Sequence, residues 1–137
     1  MGASVSLATE ESVMSKKLAS LGVCLGLLAL PAFADSVQEI NTAAAHAGMA
    51  AAADTTKTLH FHIQHTINCL EGKSGADFNA GPGNPCDDQG NGAIPDSNPA
   101  AQKSLKDAVA KAKMALTEPD FEKAKGYAGD AQTILSK

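Results

Sequence analysis

A long stretch rich in glycine and proline, residues 72–98, divides this chain and limits the folds open to it. Its turn-forming residues are Gly75, Gly81, Gly83, Gly90, Gly92, Pro82, Pro85 and Pro95. Glycine and proline at this density interrupt helices and strands alike, so the stretch is predicted to be a loop. Loops of this length are uncommon in compact domains and are usually functional or tied down at some point.

Apolar residues on both sides of this loop recur at the spacing of an α-helix. The first such stripe consists of Val37, Ile40, Ala44, Ala47 and Ala51. At about 100° per residue these positions share one face, which predicts a helix with that face toward the core. Comparable stripes predict helices over about residues 36–53, 55–71, 99–117 and 119–136. The sequence therefore predicts an all-α fold, a small four-helix bundle made of two helical hairpins.

Capping residues stand at the ends of these segments. Asp54-Thr55-Thr56 offers N-cap side chains for the second helix, and Gly72 is a candidate C-cap at its other end. Asn98-Pro99 is typical of a helix start, and Glu118-Pro119-Asp120 interrupts the helical pattern. These signals set the predicted helix boundaries more firmly than hydrophobicity alone.

The N-terminal residues have the pattern of an export signal. Lys16-Lys17 precedes an uncharged apolar run over residues 18–30, and an Ala-Phe-Ala triplet ending at Ala34 suits a signal peptidase. The run is shorter than the ~20 apolar residues of a membrane-spanning helix. We therefore expect residues 1–34 to be a signal peptide, with Met14 as an alternative start of the chain.

The rest of the chain, residues 35–137, is long enough for a single domain with a modest core. The whole chain has 11 basic and 15 acidic residues and a net charge of −4. Because phosphate binding requires clustered lysine and arginine, nucleic acid is not an expected partner. The helices carry alanine rather than leucine and phenylalanine, so membrane insertion is not expected either. The export signal predicts a periplasmic or secreted protein.

The sequence contains no motif of a familiar type of catalysis. A nucleophile–base arrangement, a phosphate-binding glycine loop and a zinc-protease motif are all missing, so no enzymatic activity is expected. The absence of Cys-x-x-Cys-His excludes covalently attached haem. Haem held by histidine and methionine is chemically open, but too few large apolar residues surround the histidines.

Two cysteines, Cys69 and Cys86, follow the export signal. An even pair in an exported chain predicts a disulfide. Such a bond would tie the loop over 72–98 to the end of the second helix and would stabilise the fold by about 3 kcal/mol. The alternative is a metal site with thiolate ligands.

All four histidines lie in the first hairpin, His46 on one helix and His60, His62 and His65 on the next. Neutral imidazole is the commonest metal ligand, and methionine sulfur adds a preference for copper(I). His46 and Met49 share one helix face because they are three residues apart, and so do His62 and His65. An antiparallel hairpin brings these two pairs to similar heights, which predicts a site with four ligands.

His60 is a weaker candidate, because it projects about 160° away from His62 on the helix and would bind at the surface. The alternative for all these residues is an ordinary role. A histidine on a helix is commonly hydrogen-bonded or solvated, and Met49 among alanines would fill the core.

The first hairpin resembles a known family. The motif His46-Ala47-Gly48-Met49-Ala50 is followed nineteen residues after its histidine by His65, and then by Leu70. This frame resembles the helical hairpin of the periplasmic small metal-binding proteins. The resemblance implies a helical bundle that binds divalent metals, copper prominently.

The second hairpin is a looser copy of the first, shifted by 65 residues. Residues 45–50 overlie 110–115, and Leu70 overlies Leu135. At the metal-ligand positions Lys111 replaces His46, while Tyr127 and Asp130 overlie His62 and His65. The second hairpin is therefore predicted to be structural.

Together these features predict an exported protein, not an enzyme, that sequesters or delivers copper or a similar divalent transition metal. The alternative is an interaction module that docks a periplasmic partner protein through the disulfide-clamped loop over 72–98. The two predictions differ in whether the histidines or the loop residues carry the function.

Overall fold

The computed structural model describes residues 32–137, and within this range every regular element is a helix. The helices are α1 (Ala32–Ala51), α2 (Thr56–Glu71), α3 (Ala93–Asp96), α4 (Pro99–Thr117) and α5 (Phe121–Leu135). The predicted all-α class is therefore confirmed. None of these helices combines the length and the apolar character needed to cross a membrane. The export-signal residues before Ala32 and the alternative start at Met14 lie outside the described residues.

The helix boundaries follow the capping residues that the sequence predicts. Thr55 caps the start of α2, and Gly72 ends it with a φ of +67°, a conformation that glycine adopts without a steric penalty. Asn98 accepts two backbone hydrogen bonds at the start of α4, with Pro99 in the first turn. Asp120 caps α5 in the same way. Local side-chain chemistry is thus sufficient to end and restart the helices here.

The two helical hairpins pack side by side. The helices α1 and α2, joined by a short turn, form the first hairpin, and α4 and α5 form the second. The hairpins meet mainly where α1 contacts α5 and where α2 contacts α4. The first hairpin therefore has one side covered by the second, and its own two helices face each other along their length.

The core between these helices is built largely from small side chains. The buried residues of the part nearest the α1–α2 turn are Ala50, Ala53, Leu59, Ile63, Ile67, Ala112, Ala115, Ala124 and Ala128. Alanine at so many contacts lets the helix backbones approach closely. The larger aliphatic residues come from α2, and their predicted stripe from Leu59 to Leu70 is buried along its whole length.

The prediction for the inward face of α1 is wrong at its first residue. Val37 is 57% exposed, and the buried face instead includes Glu39, Ala43, Ala47 and Ala50. Alanine occurs on several faces of α1, so its apolar pattern does not choose between them. On the observed inward face the buried Glu39 carboxylate accepts a hydrogen bond from the Gly92 backbone N–H at 2.8 Å.

Between α2 and α4 the chain is more ordered than a simple loop. A disulfide joins Cys69 to Cys86, as predicted, and leaves neither sulfur free to ligate a metal as thiolate. The predicted loop over 72–98 also contains the one-turn helix α3, whose Ala93 is buried. A disulfide of this kind is typical of an oxidising, extracytoplasmic compartment.

Candidate metal centre

Three histidines from α1 and α2 come together on the first hairpin. His46 from α1 faces His62 from α2, and their Nδ1 atoms are 3.2 Å apart. His65, three residues further along α2, completes the group, and the three ligand nitrogens lie within 4.8 Å of one another. Residues at similar distances from the α1–α2 turn therefore meet, as the hairpin geometry requires.

Phe61 is the aromatic neighbour of this histidine cluster. Its ring lies tilted against His65, with 4.3 Å between the ring centroids, and edge-on to His62 at 5.3 Å. The ring of His46 in turn meets His65 edge-on at 4.7 Å. These contacts pack the ring of His65 between those of Phe61 and His46.

The hydrogen bond of His65 indicates which of its ring nitrogens carries a hydrogen. Its Nε2 lies 2.9 Å from the backbone carbonyl oxygen of Pro82. A carbonyl oxygen only accepts, so Nε2 donates the hydrogen, and in the neutral imidazole Nδ1 then carries the lone pair. That Nδ1 is buried and has no hydrogen-bond partner among the described residues. Buried polar atoms are rarely left in this state, so the orphaned nitrogen suits a metal ligand.

The cluster favours neutral imidazoles. Burial lowers the pKa of His46 from 6.5 to about 4, with further lowering by the charges of His65 and His62. Burial, and then His65, also lower the pKa of His62. Neutral imidazole is the form that binds metals, and the lowered pKa values favour it at neutral pH, while one of the two Nδ1 atoms carries the hydrogen of their mutual hydrogen bond.

The lowered pKa of His46 predicts that acid weakens the metal-free fold. Unfolded His46 takes up a proton near its ordinary pKa of 6.5, whereas the folded side chain stays neutral down to about 4. Protons therefore favour the unfolded chain, and stability is lost as the pH falls through this window. We expect denaturant unfolding with a chelator present to show a steeper loss for the wild type than for His46→Gln. Equal slopes for the two proteins would contradict the assignment.

The spacing of the histidines fits a single ion. Ligands about 2.05 Å from a tetrahedral ion are about 3.3 Å apart, close to the separation of the His46 and His62 nitrogens. The ligand nitrogen of His65 lies within 4.8 Å of the other two, so it would have to move closer to join the same coordination sphere. Three imidazoles of this kind could hold a divalent transition metal and would leave a fourth position open.

The two other residues predicted as ligands lie outside this cluster of three. Met49 is on α1, one turn after His46, and its side chain is 49% exposed, so it does not fill the core. His60 is half-buried, and its Nε2 is buried without a hydrogen-bond partner among residues 32–137. It borders a groove of about 350 Å³ that also contacts Phe61 and Pro82.

Sequence reasoning missed the residues that surround the histidines. Phe61 lies between two of the histidines in the sequence, and this position was a usable signal for ring contacts. The role of Pro82 has no such signal, because its contribution is a backbone carbonyl that any residue possesses. Asn68, whose side-chain Nδ2 donates to the backbone carbonyls of Asn79 and Gly83 on either side of Pro82, resembles any other polar residue of a helix when only the sequence is known.

The second hairpin carries a polar cluster at the positions equivalent to the histidines. Lys111 Nζ lies 2.8 Å from Asp130 Oδ2 and 5.5 Å from the centroid of the Tyr127 ring. These are the residues that overlie His46, His65 and His62 after the shift of 65. The two hairpins therefore bring equivalent positions together, one with imidazoles and the other with an ion pair.

Comparisons with known proteins do not narrow the function of the site. No protein-family model matches the chain, and no curated protein or solved structure is significantly similar to it. The likeness to the small metal-binding proteins therefore stays a prediction from the sequence. The chemistry of the site follows from the histidine cluster and its surroundings alone.

Proposed function

We propose that this protein is an exported metal-binding protein that holds one divalent transition-metal ion between α1 and α2. The observation that carries this proposal is the convergence of His46, His62 and His65, with the buried Nδ1 of His65 left without a hydrogen-bond partner among the described residues. Burial lowers the pKa values of His46 and His62, which favours the neutral, metal-binding form of these two imidazoles at neutral pH. The role that fits is sequestration or delivery of the ion.

Copper is the metal that these nitrogen and sulfur ligands favour most. Among the divalent first-row metals, copper(II) binds nitrogen ligands most tightly. The thioether of Met49, exposed one turn from His46, adds a soft donor of the type that copper(I) prefers. A carrier exposed to both oxidation states would bind copper(II) through the imidazoles, and the Met49 sulfur would strengthen its binding of copper(I).

Export and a bundle architecture complete the proposal. The signal pattern over residues 1–34 and the Cys69–Cys86 disulfide both support a periplasmic or secreted protein. The domain over 35–137 is a small four-helix bundle whose first hairpin binds the metal and whose second hairpin supports it. The segment between the hairpins is a glycine- and proline-rich loop clamped by the disulfide.

Calorimetric titration of the oxidised protein, residues 35–137, with copper(II) and zinc(II) tests the proposal. We expect submicromolar binding of ~1 ion per chain, because one cluster of this kind supplies one site. The triple variant His46→Gln/His62→Gln/His65→Gln should lose this binding, and the control His60→Gln should keep it. Weak binding that the triple variant shares with the wild type would refute a metal function.

The alternative, an interaction module that uses the disulfide-clamped segment, remains a separate proposal. The contact of the Pro82 carbonyl with His65 supports a role of this segment inside the metal site instead. The same triple variant separates the two functions, since a docking module would work without its histidines.

A further inference from the structure

The side chain of Asn68 forms four hydrogen bonds close to the metal site. It is fully buried on α2, and its Nδ2 donates to the carbonyl oxygens of Asn79 and Gly83, each at 2.7 Å. Its Oδ1 accepts from the Asn79 backbone N–H and from Gln64 Nε2, both at 3.0 Å. One amide therefore holds the segment after α2 at two separate points.

Those two points enclose the carbonyl group that orients His65. Asn79 lies three residues before Pro82, and Gly83 follows it directly. Gly83 has a φ of +99°, a turn conformation that suits glycine, and its own carbonyl points to Asn68 while that of Pro82 meets His65. His65 and Asn68 are three residues apart on α2 and so share a face.

We propose that Asn68 is the positioning residue of the metal site. By fixing Asn79 and Gly83 it holds the Pro82 carbonyl against His65 Nε2, and this keeps the proton on Nε2 and the lone pair on Nδ1. The inference rests on the proposed function, since the free Nδ1 matters only if a metal binds there. Metal-binding histidines commonly donate their second nitrogen to a carbonyl in this way.

Asparagine suits this position because of its hydrogen-bonding groups. It donates twice and accepts twice from one planar amide, which matches the four contacts at Asn68. Aspartate has no donor when ionised, so it would face the carbonyls of Asn79 and Gly83 with repulsion. The disulfide at Cys86 also ties the segment to α2, but it lies four residues beyond Pro82, whereas Asn68 bonds the carbonyl of the very next residue, Gly83.

The test compares Asn68→Asp with Asn84→Asp, the same substitution on the same segment, where the side-chain oxygen still accepts from the Cys86 backbone N–H. In the metal-free protein, nitrogen-15 NMR of the imidazole reports the His65 tautomer, and competition with a chromophoric chelator reports zinc(II) affinity. We expect Asn68→Asp to give a mixture of tautomers and a roughly 10- to 100-fold loss of affinity. Asn84→Asp should change neither readout.

The possible outcomes separate this inference from the proposed function. If Asn68→Asp does not fold, as judged by circular dichroism, the smaller neutral variant Asn68→Ser takes its place with the same expectation. A wild type that binds no zinc overturns both proposals. A wild type that binds zinc, with His65 still protonated on Nε2 or with affinity unchanged in the Asn68 variant, overturns the positioning role alone.

Discussion

Replacing Cys69 and Cys86 together by alanine is expected to lower the free energy of unfolding by about 3 kcal/mol. The two residues are separated by 17 positions, and the bond between them restricts the unfolded chain by closing this loop. Both side chains are also buried in a core cluster with Leu70 and Ala93, so the variant loses some packing in addition. Urea denaturation at neutral pH, in the absence of metal, measures the loss.

The reduced wild-type protein is the matched control for this variant. It retains both sulfur atoms in the core, so its difference from the oxidised protein isolates the effect of the cross-link. We also expect the double alanine variant to bind zinc more weakly, because the segment that carries the Pro82 carbonyl is less well held. Unfolding curves that coincide for the oxidised protein, the reduced protein and the variant would contradict a stabilising role of the disulfide.

Most of the helical framework could be predicted because local chemistry determines it. Thr55, Gly72 and Asn98 end or begin helices through their own side chains or backbone conformation, and such signals are visible in sequence. The inward face of α2 is equally clear, since its large aliphatic residues occur on one side only. Val37 on α1 was misjudged because alanine-rich helices lack that contrast.

Only those parts of the candidate site that consist of chemically distinctive side chains could be predicted from the sequence. His46, His62 and His65 could be placed together from their spacing and from the position of the turn. Sequence alone could not predict the short helix α3 or the packing of the segment before it. Glycine and proline patterns do not reveal which backbone groups come into contact. The Pro82 carbonyl is such a group, and the orientation of His65 depends on it.

The second hairpin offers the strongest test of how the site is built, because two substitutions should create a second one. Lys111→His and Tyr127→His would place two imidazoles beside Asp130, at positions equivalent to the histidine cluster of the first hairpin. In the wild type Lys111 donates a hydrogen bond to the Asp130 carboxylate, which raises the pKa of that lysine, so the lysine stays charged and occupies the carboxylate. Two imidazoles and one carboxylate are a common donor set for divalent metals.

We expect the double variant to bind ~2 zinc ions per chain, where the wild type binds ~1, by calorimetry. The same two substitutions in the His46→Gln/His62→Gln/His65→Gln background should restore binding of a single ion. Lys111→Gln/Tyr127→Phe is the matched control, because it breaks the ion pair without supplying an imidazole. If the double variant gains no ion, the spacing between α4 and α5 differs from that between α1 and α2. Equivalent helix positions would then not be enough to form a metal site. The site would also require the packing of the first hairpin, including the contact of His65 with Pro82.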